Sequence, residues 1–399
     1  SSLSRDYLPR SPVSFPMVAG KRNAFVACLI VSVAVSATAN NFASRIKAEI
    51  LGDYNFVTVV PDSFIQLCFN LVFVIVLAMR HQIHPAQLKY LFCCGTRWSD
   101  LGAWKFLVLA GVNDIANNVT GLAAQPHLTT FMMSLMDQAT TPFTVIFSML
   151  LLKVRYLPEE WVAIVIIICA AASCVFLTTS SSSDDSQFWA LFAALTTSFA
   201  AFSFVLKEIT FNGYKQFSGR SSGMPQSFRV QLAEEGNLQS RLTEGQAGDP
   251  STCTPNGLPD TLNVFLVGAV INFVGLVSSV PIALLNHAAV SSGPSWPALV
   301  DGLRTLMQKD NALTSYAVYI VINTVFNLSL ILTTSYGSAL LSFLSLKAAV
   351  PLTAILSAVP WPVIGAKPLN DKQWLALLVL IVGISGFRLG NMRRERLLA

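Results

Sequence analysis

The segment SLMDQATTPFTVIFS, residues 134–148, carries an aspartate inside an apolar stretch that runs from Thr129 to about Leu152. A carboxylate at membrane depth is costly, so it is kept where it meets a partner, another helix or a water-filled path. Asp137 is therefore a first candidate for chemistry. Thr141, Thr144 and Ser148 follow it at spacings of four, three and four, one polar stripe on an otherwise apolar helix. A second stretch sets Asp114, Asn117, Asn118 and Gly121 on one face, a third offers Asp62, Gln66 and Asn70, and Lys347 stands deep in another apolar run. Carboxylates in such places can take up and release a proton as a cavity opens to one side or the other, and amides and hydroxyls can hydrogen-bond a polar solute. The alternative for Thr141, Ser148 and Asn118 is simple glue between helices, and Pro142 and Pro351 read as helix kinks. No nucleophile, base and orienting group converge, and no CxxC pair or metal-ligand spacing occurs. Neither an enzyme nor a metal or cofactor site is expected.

Long apolar elements must position these groups. Of the 399 residues 53% are apolar and only 12% charged, with the charges gathered between apolar runs. This is the composition of a polytopic membrane protein. A spanning helix needs roughly 20 apolar residues, and ten such runs occur, at 23–44, 56–79, 104–123, 129–152, 160–178, 188–208, 261–285, 313–333, 338–364 and 373–390. With both ends on one side, the loops on that side, counted with the run ends that adjoin them, hold 19 of the 26 Lys and Arg, the opposite loops hold six, and Lys347 is the only one left deep inside a run. By the positive-inside rule both termini face the cytosol. The net charge of +5 has this topological cause, so nucleic acid is not an expected partner. The seven cysteines are scattered and are expected to be free thiols.

Residues 1–22 read as a solvated polar tail, the alternative being the stub of a transit peptide. Residues 391–399 form a basic tail, and 216–260, rich in Gly, Ser, Pro and charge, cannot bury a core and read as a disordered cytosolic linker. Shifting SLMDQATTPFTVIFS by 209 residues lays it on FLSLKAAVPLTAILS without a gap, with Pro142 on Pro351 and Ser148 on Ser357. Upstream, VNDIANN matches INTVFNL, each reading Asn, three residues, Asn; downstream, Trp161 and Trp374 each open the next run. Residues 23–178 and 188–390, the latter interrupted by the linker, are thus two copies of one five-helix unit. An odd number of helices per copy forces opposite insertion, an inverted-topology repeat with its solute site near the midplane. The fold class is all-α: ten transmembrane helices in two inverted five-helix repeats. Asp137 then lies about 12 Å from one face and Lys347 about 13.5 Å from the other, in a core roughly 30 Å thick, so the two could form a pair.

GDYNFVT after the first run, KVRY after the fourth, KEITFNGYK after the sixth, PWPVIG at the end of the ninth and GFRLGN in the tenth resemble segments of the chloroquine-resistance-transporter-like proteins, found in apicomplexan digestive vacuoles and, as thiol transporters, in plant plastids. The resemblance covers 40–215 and 261–395; residues 286–312 hold no cysteine, where that family's loop usually does. It implies a drug/metabolite-transporter fold, a proton-coupled or electrogenic carrier, and a cavity lined by Asp114, Ser134 and Gln138. The function expected is secondary active transport of amino acids, small peptides, glutathione or gamma-glutamylcysteine by alternating access. In it Asp114 and Asp137 carry the coupled proton, Lys347 pairs with a carboxylate, and Asn117, Gln138, Thr144, Asn323 and Asn327 bond the cargo. A monomer in an organelle membrane, a plastid envelope or vacuole-like compartment, is expected, with the lipid bilayer, a small-molecule substrate and protons as its partners. A nucleotide-sugar or phosphate-sugar antiporter would need several cavity cations, and a channel or membrane scaffold would need no coupled protonation.

Overall fold

The computed structural model describes residues 19–92, 102–179, 184–217, 262–290, 293–336, 339–361, 363–366 and 369–398. Among these residues thirteen α-helices follow one another. They are α1 (Ala19–Leu51), α2 (Val59–Met79), α3 (Pro85–Phe92), α4 (Trp104–Ala124), α5 (Thr130–Met136), α6 (Thr140–Leu151), α7 (Pro158–Thr179) and α8 (Asp184–Phe217). After the linker come α9 (Val264–Val290), α10 (Ser295–Gln308), α11 (Ala312–Tyr336), α12 (Ala339–Leu356) and α13 (Asp371–Leu398). No strand occurs among the described residues; the closest approach is a single antiparallel bridge between Trp361 and Gly365. Each of the ten apolar runs carries helix, and α13 continues through the basic tail. Almost all of the linker lies outside the described residues, as do residues 1–18 of the tail.

The bundle turns apolar side chains outward, as a lipid solvent allows and water does not. Val72 of α2, Leu195 of α8, Val277 of α9, Val321 of α11 and Val382 of α13 are all exposed. Among the described residues five helical segments are long and apolar enough to cross a membrane: Ala27–Met79, which joins α1 to α2, then Gln187–Tyr214, Val264–Ala289, Ala312–Ser335 and Gln373–Gly390. The protein is an integral multi-pass membrane protein. Its main packing pairs are α7 with α13, α4 with α8, α1 with α11, α2 with α9, α4 with α9, α1 with α12 and α6 with α8. Small residues set some of these distances. A Cβ on Gly111 of α4 would come 2.8 Å from the Ile271 carbonyl oxygen of α9, and one on Gly383 of α13 would come 2.9 Å from Ile167 of α7.

Three departures from straight apolar helices matter for the site. The fourth run is broken: α5 ends at Met136, a 3₁₀ turn covers Asp137–Ala139, and α6 begins at Thr140. Pro142 explains the break, because it has no N–H to give the Gln138 carbonyl four residues back. Pro351, its counterpart, stays inside the unbroken α12. The other two departures are short helices in loops. α3 buries Gln87 and Leu91, and α10 lays Leu299, Gly302 and Leu306 on the 3₁₀ helix Gly52–Thr58 while Trp296, Val300 and Met307 stay exposed.

Several motifs acquire structural roles here. GDYNFVT is the 3₁₀ helix Gly52–Thr58, and its Asn55 side chain donates to the Leu122 carbonyl at 2.9 Å and to Gln125 Oε1 at 3.1 Å. Gly365 of PWPVIG has φ +65°, which glycine adopts without strain. Gly386 and Gly390 of GFRLGN face Ala163 and Glu160 of α7.

Candidate functional site

A polar cavity of about 320 Å³ lies inside the bundle. Asp62, Gln66 and Asn70 reach it from α2, and Asp114, Asn117, Asn118 and Gly121 from α4. Each set recurs every three or four residues, so one face of each helix is polar and the rest can face neighbours or lipid. Ser134, Asp137 and Gln138 border it at the helix break, Asn323 and Asn327 line it from α11, and Lys347 from α12. Asn327 donates to Asn323 Oδ1 at 3.2 Å, which aligns the two amides along one face.

The break in the fourth run decides which groups face the cavity. Asp137 is exposed by surface area although it lies within the bundle, because the surface it shows is cavity wall. Past the 3₁₀ turn the stripe leaves the wall: Thr144 is buried and donates to the Thr140 carbonyl at 2.7 Å, and Ser148 is buried as well. Neither borders the cavity. The straight-helix projection that put Thr144 beside the cargo fails because the 3₁₀ turn re-aims α6.

Lys347 is buried to 4% exposure. Its ammonium donates to Gln138 Oε1 at 3.0 Å and to the Thr141 hydroxyl. It acts on the charge of Asp137 without forming the expected close pair. Gln138 and Lys347 are the positions that the 209-residue shift superimposes. The two residues matched by that shift therefore touch.

Sequence patterning missed three cations. Lys207, counted with the linker loop, donates to Asp114 Oδ2 at 2.7 Å from α8 and borders the cavity. Arg45, counted with an outer loop, borders the cavity, pairs with Glu49 at 2.8 Å and donates to the Gln125 carbonyl. Lys47 is fully buried, with Nζ 2.9 Å from the Thr58 hydroxyl and 3.7 Å from the centre of the Tyr319 ring. Arg45 and Lys47 lie beyond the first run, which stops at 44 whereas α1 reaches Leu51, and Lys207 lies in the last turn of the run 188–208, which α8 continues to Phe217. Of the described cysteines, Cys28, Cys68 and Cys169 are free thiols.

An apolar helix bundle that walls in a polar, charge-bearing cavity defines a multi-pass membrane protein of the transporter class. The sequence model of the CRT-like family, described as chloroquine-resistance transporter-like, matches residues 25–218 and supports the resemblance to that family over this stretch. A search of curated proteins gave no match.

Proposed function

We propose that the chain is a secondary active carrier for small zwitterionic solutes, the class that includes amino acids, short peptides and glutathione, working by alternating access with proton coupling. The observation that carries this reading is the pair of opposite charges left for a ligand in one cavity. Asp114 is engaged by Lys207, Arg45 by Glu49, and Asp62 by the field of Lys47 and the hydroxyls of Tyr316 and Tyr319. Asp137 and Lys347 remain, the first open to the cavity and the second held by neutral groups. An ammonium on the cargo would meet Asp137 and a carboxylate would meet Lys347, with Asn117, Ser134, Asn323 and Asn327 bonding its amides. Asp137 and Asp114 are the carboxylates proposed to load and release the proton.

The ten-helix inverted repeat belongs to the same proposal and has two supports. If α1, α2, α4, α5–α6 and α7 correspond to α8, α9, α11, α12 and α13, then α1 on α11 answers α8 on α4, and α1 on α12 answers α8 on α6. The contacts of α2 with α9 and of α7 with α13 map onto themselves. The Gln138–Lys347 bond is the second support, since equivalent positions can touch only beside the axis relating the copies. The resemblance adds an organelle membrane, a plastid envelope or vacuole-like compartment, with cytosolic termini.

A nucleotide-sugar antiporter is the second reading, favoured by three cavity cations. Two of these are already neutralised, and about 320 Å³ is the lower end of the roughly 300–1,000 Å³ of ligand pockets. The deciding experiment uses purified protein in liposomes with labelled glutathione, basic amino acids and nucleotide sugars, with and without an imposed pH gradient. Saturable, gradient-driven uptake of a zwitterion supports the carrier; uptake confined to nucleotide sugars, or flux that does not saturate, overturns it.

A further inference from the structure

A smaller pocket of about 80 Å³ adjoins the main cavity, and Arg45 and Thr130 border both. Further walls come from chain ends that meet at one end of the bundle: Thr129, which caps α5, Ser357, the residue after α12, Gly365 in the loop that follows, and Gln373 in the first turn of α13. The turn that carries Gly365 closes over α1, where the Trp361 ring stacks on that of Phe42 at 4.8 Å, and Phe42 also borders the pocket. The pocket thus lies in the seam between the proposed halves, with α1 and α5 on one side and α12 and α13 on the other. Its volume is far below the roughly 300 Å³ at which ligand pockets begin, so it can take a head group but not a whole solute.

Arg45 brings the charge to this partition. It is 7% exposed, and its contacts with Glu49 Oε2 at 2.8 Å and with the Gln125 carbonyl engage two of the five N–H groups of a guanidinium. Both partners belong to the first half, so Arg45 keeps its place when the halves part. The Glu49 side chain is 44% exposed, and an ion-pair partner that stands in water is weakly held. A carboxylate arriving through the small pocket can therefore take the place of Glu49, with the planar two-point match that arginine offers. Along α12, Ser357 beside the small pocket and Lys347 beside the main cavity are ten residues apart, about 15 Å. A solute carboxylate would meet one cation at the partition and a second one deeper in.

We propose that the small pocket is the outer part of a route by which carboxylate-bearing solutes reach the main cavity, and that Arg45 is a transit site on it, holding the carboxylate in exchange for Glu49. The inference rests on the carrier reading above and adds to it a path and a charge preference at one end of the bundle. A cation in a narrow, low-dielectric passage concentrates anions at that mouth alone. An arginine that only braces α1 against Gln125 would give neither face a preference.

The test uses charged thiol reagents in place of cargo. Ala200→Cys sets a reporter on the wall of the main cavity, in full-length protein whose seven native cysteines are replaced by alanine, reconstituted in liposomes of known orientation. Membrane-impermeant methanethiosulfonates, one anionic (sulfonatoethyl) and one cationic (trimethylammonioethyl), are applied from either face, and the ratio of their rates is read. From the face at which α5 begins, R45Q should lower the anionic-to-cationic ratio about tenfold and E49Q, which frees the charge of Arg45, should raise it about threefold; from the other face both ratios should stay at the parent value. E49Q leaves Arg45 on Gln125 and keeps the test open if R45Q gives no folded protein. Ile364→Trp, which fills the small pocket, should slow both reagents about tenfold from that face only. Ratios that ignore Arg45 and Glu49, ratios that move equally from both faces, or labelling that ignores a filled pocket overturn the route. A parent whose reporter is reached from one face only overturns the carrier reading instead.

Discussion

Replacing Lys347 by Met removes an ammonium with two short contacts while nearly preserving side-chain volume. Lys347 is buried and donates to Gln138 at 3.0 Å and to Thr141. A hydrogen bond to a charged group contributes about 1.5–3 kcal/mol, so the two together set a loss of about 3–5 kcal/mol, the range found when one partner of a buried pair is removed. Gln138→Met removes one contact and should cost about 1–2 kcal/mol. If the geometry is right, the double variant loses less than the sum, with a coupling of about 1.5–3 kcal/mol between positions 138 and 347. The cycle of Asp137→Asn with Lys347→Met should give less. Asp137 acts on Lys347 only through its field and faces the cavity, where an effective dielectric of 20 or more holds a pair beyond 4 Å to at most about 4 kcal/mol and solvent lowers it to about 1. The assay is the free energy of unfolding of the purified protein in mixed detergent micelles. Additive losses at 138 and 347, within about 0.5 kcal/mol, or a larger coupling to Asp137 than to Gln138, would refute the contact on which the proposed inverted repeat leans.

Three further outcomes are expected. Asp137→Asn keeps size and hydrogen bonding but fixes a neutral group; it should spare exchange of labelled cargo and abolish pH-driven accumulation, and intact accumulation in the same liposomes would transfer the proton to Asp114, tested by Asp114→Asn in the K207Q background so that no lysine is stranded. Deleting 220–255, which lies outside the described residues and reads as linker, should leave uptake within about twofold, and loss of folded protein would show that it packs on the helices. Gly383→Leu forces a side chain into space where even a Cβ would lie 2.9 Å from Ile167, so it should lower unfolding free energy in micelles by about 2–3 kcal/mol; a neutral result would place α7 and α13 further apart.

The helices were legible because each apolar run is a long, local signal, and the polar faces of α2 and α4 because a three-to-four spacing survives in any straight helix. Asp62, Gln66, Asn70, Asp114 and Asn117 all reach the cavity as that spacing requires. Thr144 went astray for the complementary reason: a 3₁₀ turn of three residues changes the phase of everything beyond it, and Pro142 announces a disturbance without giving its angle. The buried cations escaped notice because hydropathy ends a run where the first charges appear. Arg45 and Lys47 sit in the turn just past such a limit and Lys207 in the last turn before one, all within the helix bundle and held by partners elsewhere in the chain. α3 and α10 were hidden likewise, being too short or too polar on one side to register as apolar runs. A period of 3.6 in SWPALVDGLRTLMQ was present in the sequence and would have found α10.

The contact of Gln138 with Lys347 has a further consequence. Two identical halves that trade conformations generate two facing states of equal free energy, because each state is the other turned over. Under the proposed alternating access, a glutamine answered by a lysine lifts that degeneracy. The ammonium would meet a differently hydrated surrounding in each state, whereas an amide in its place would be nearly indifferent. The resting carrier would then favour one orientation before any cargo or gradient acts on it, and a single position would set which side of the membrane the empty cavity faces.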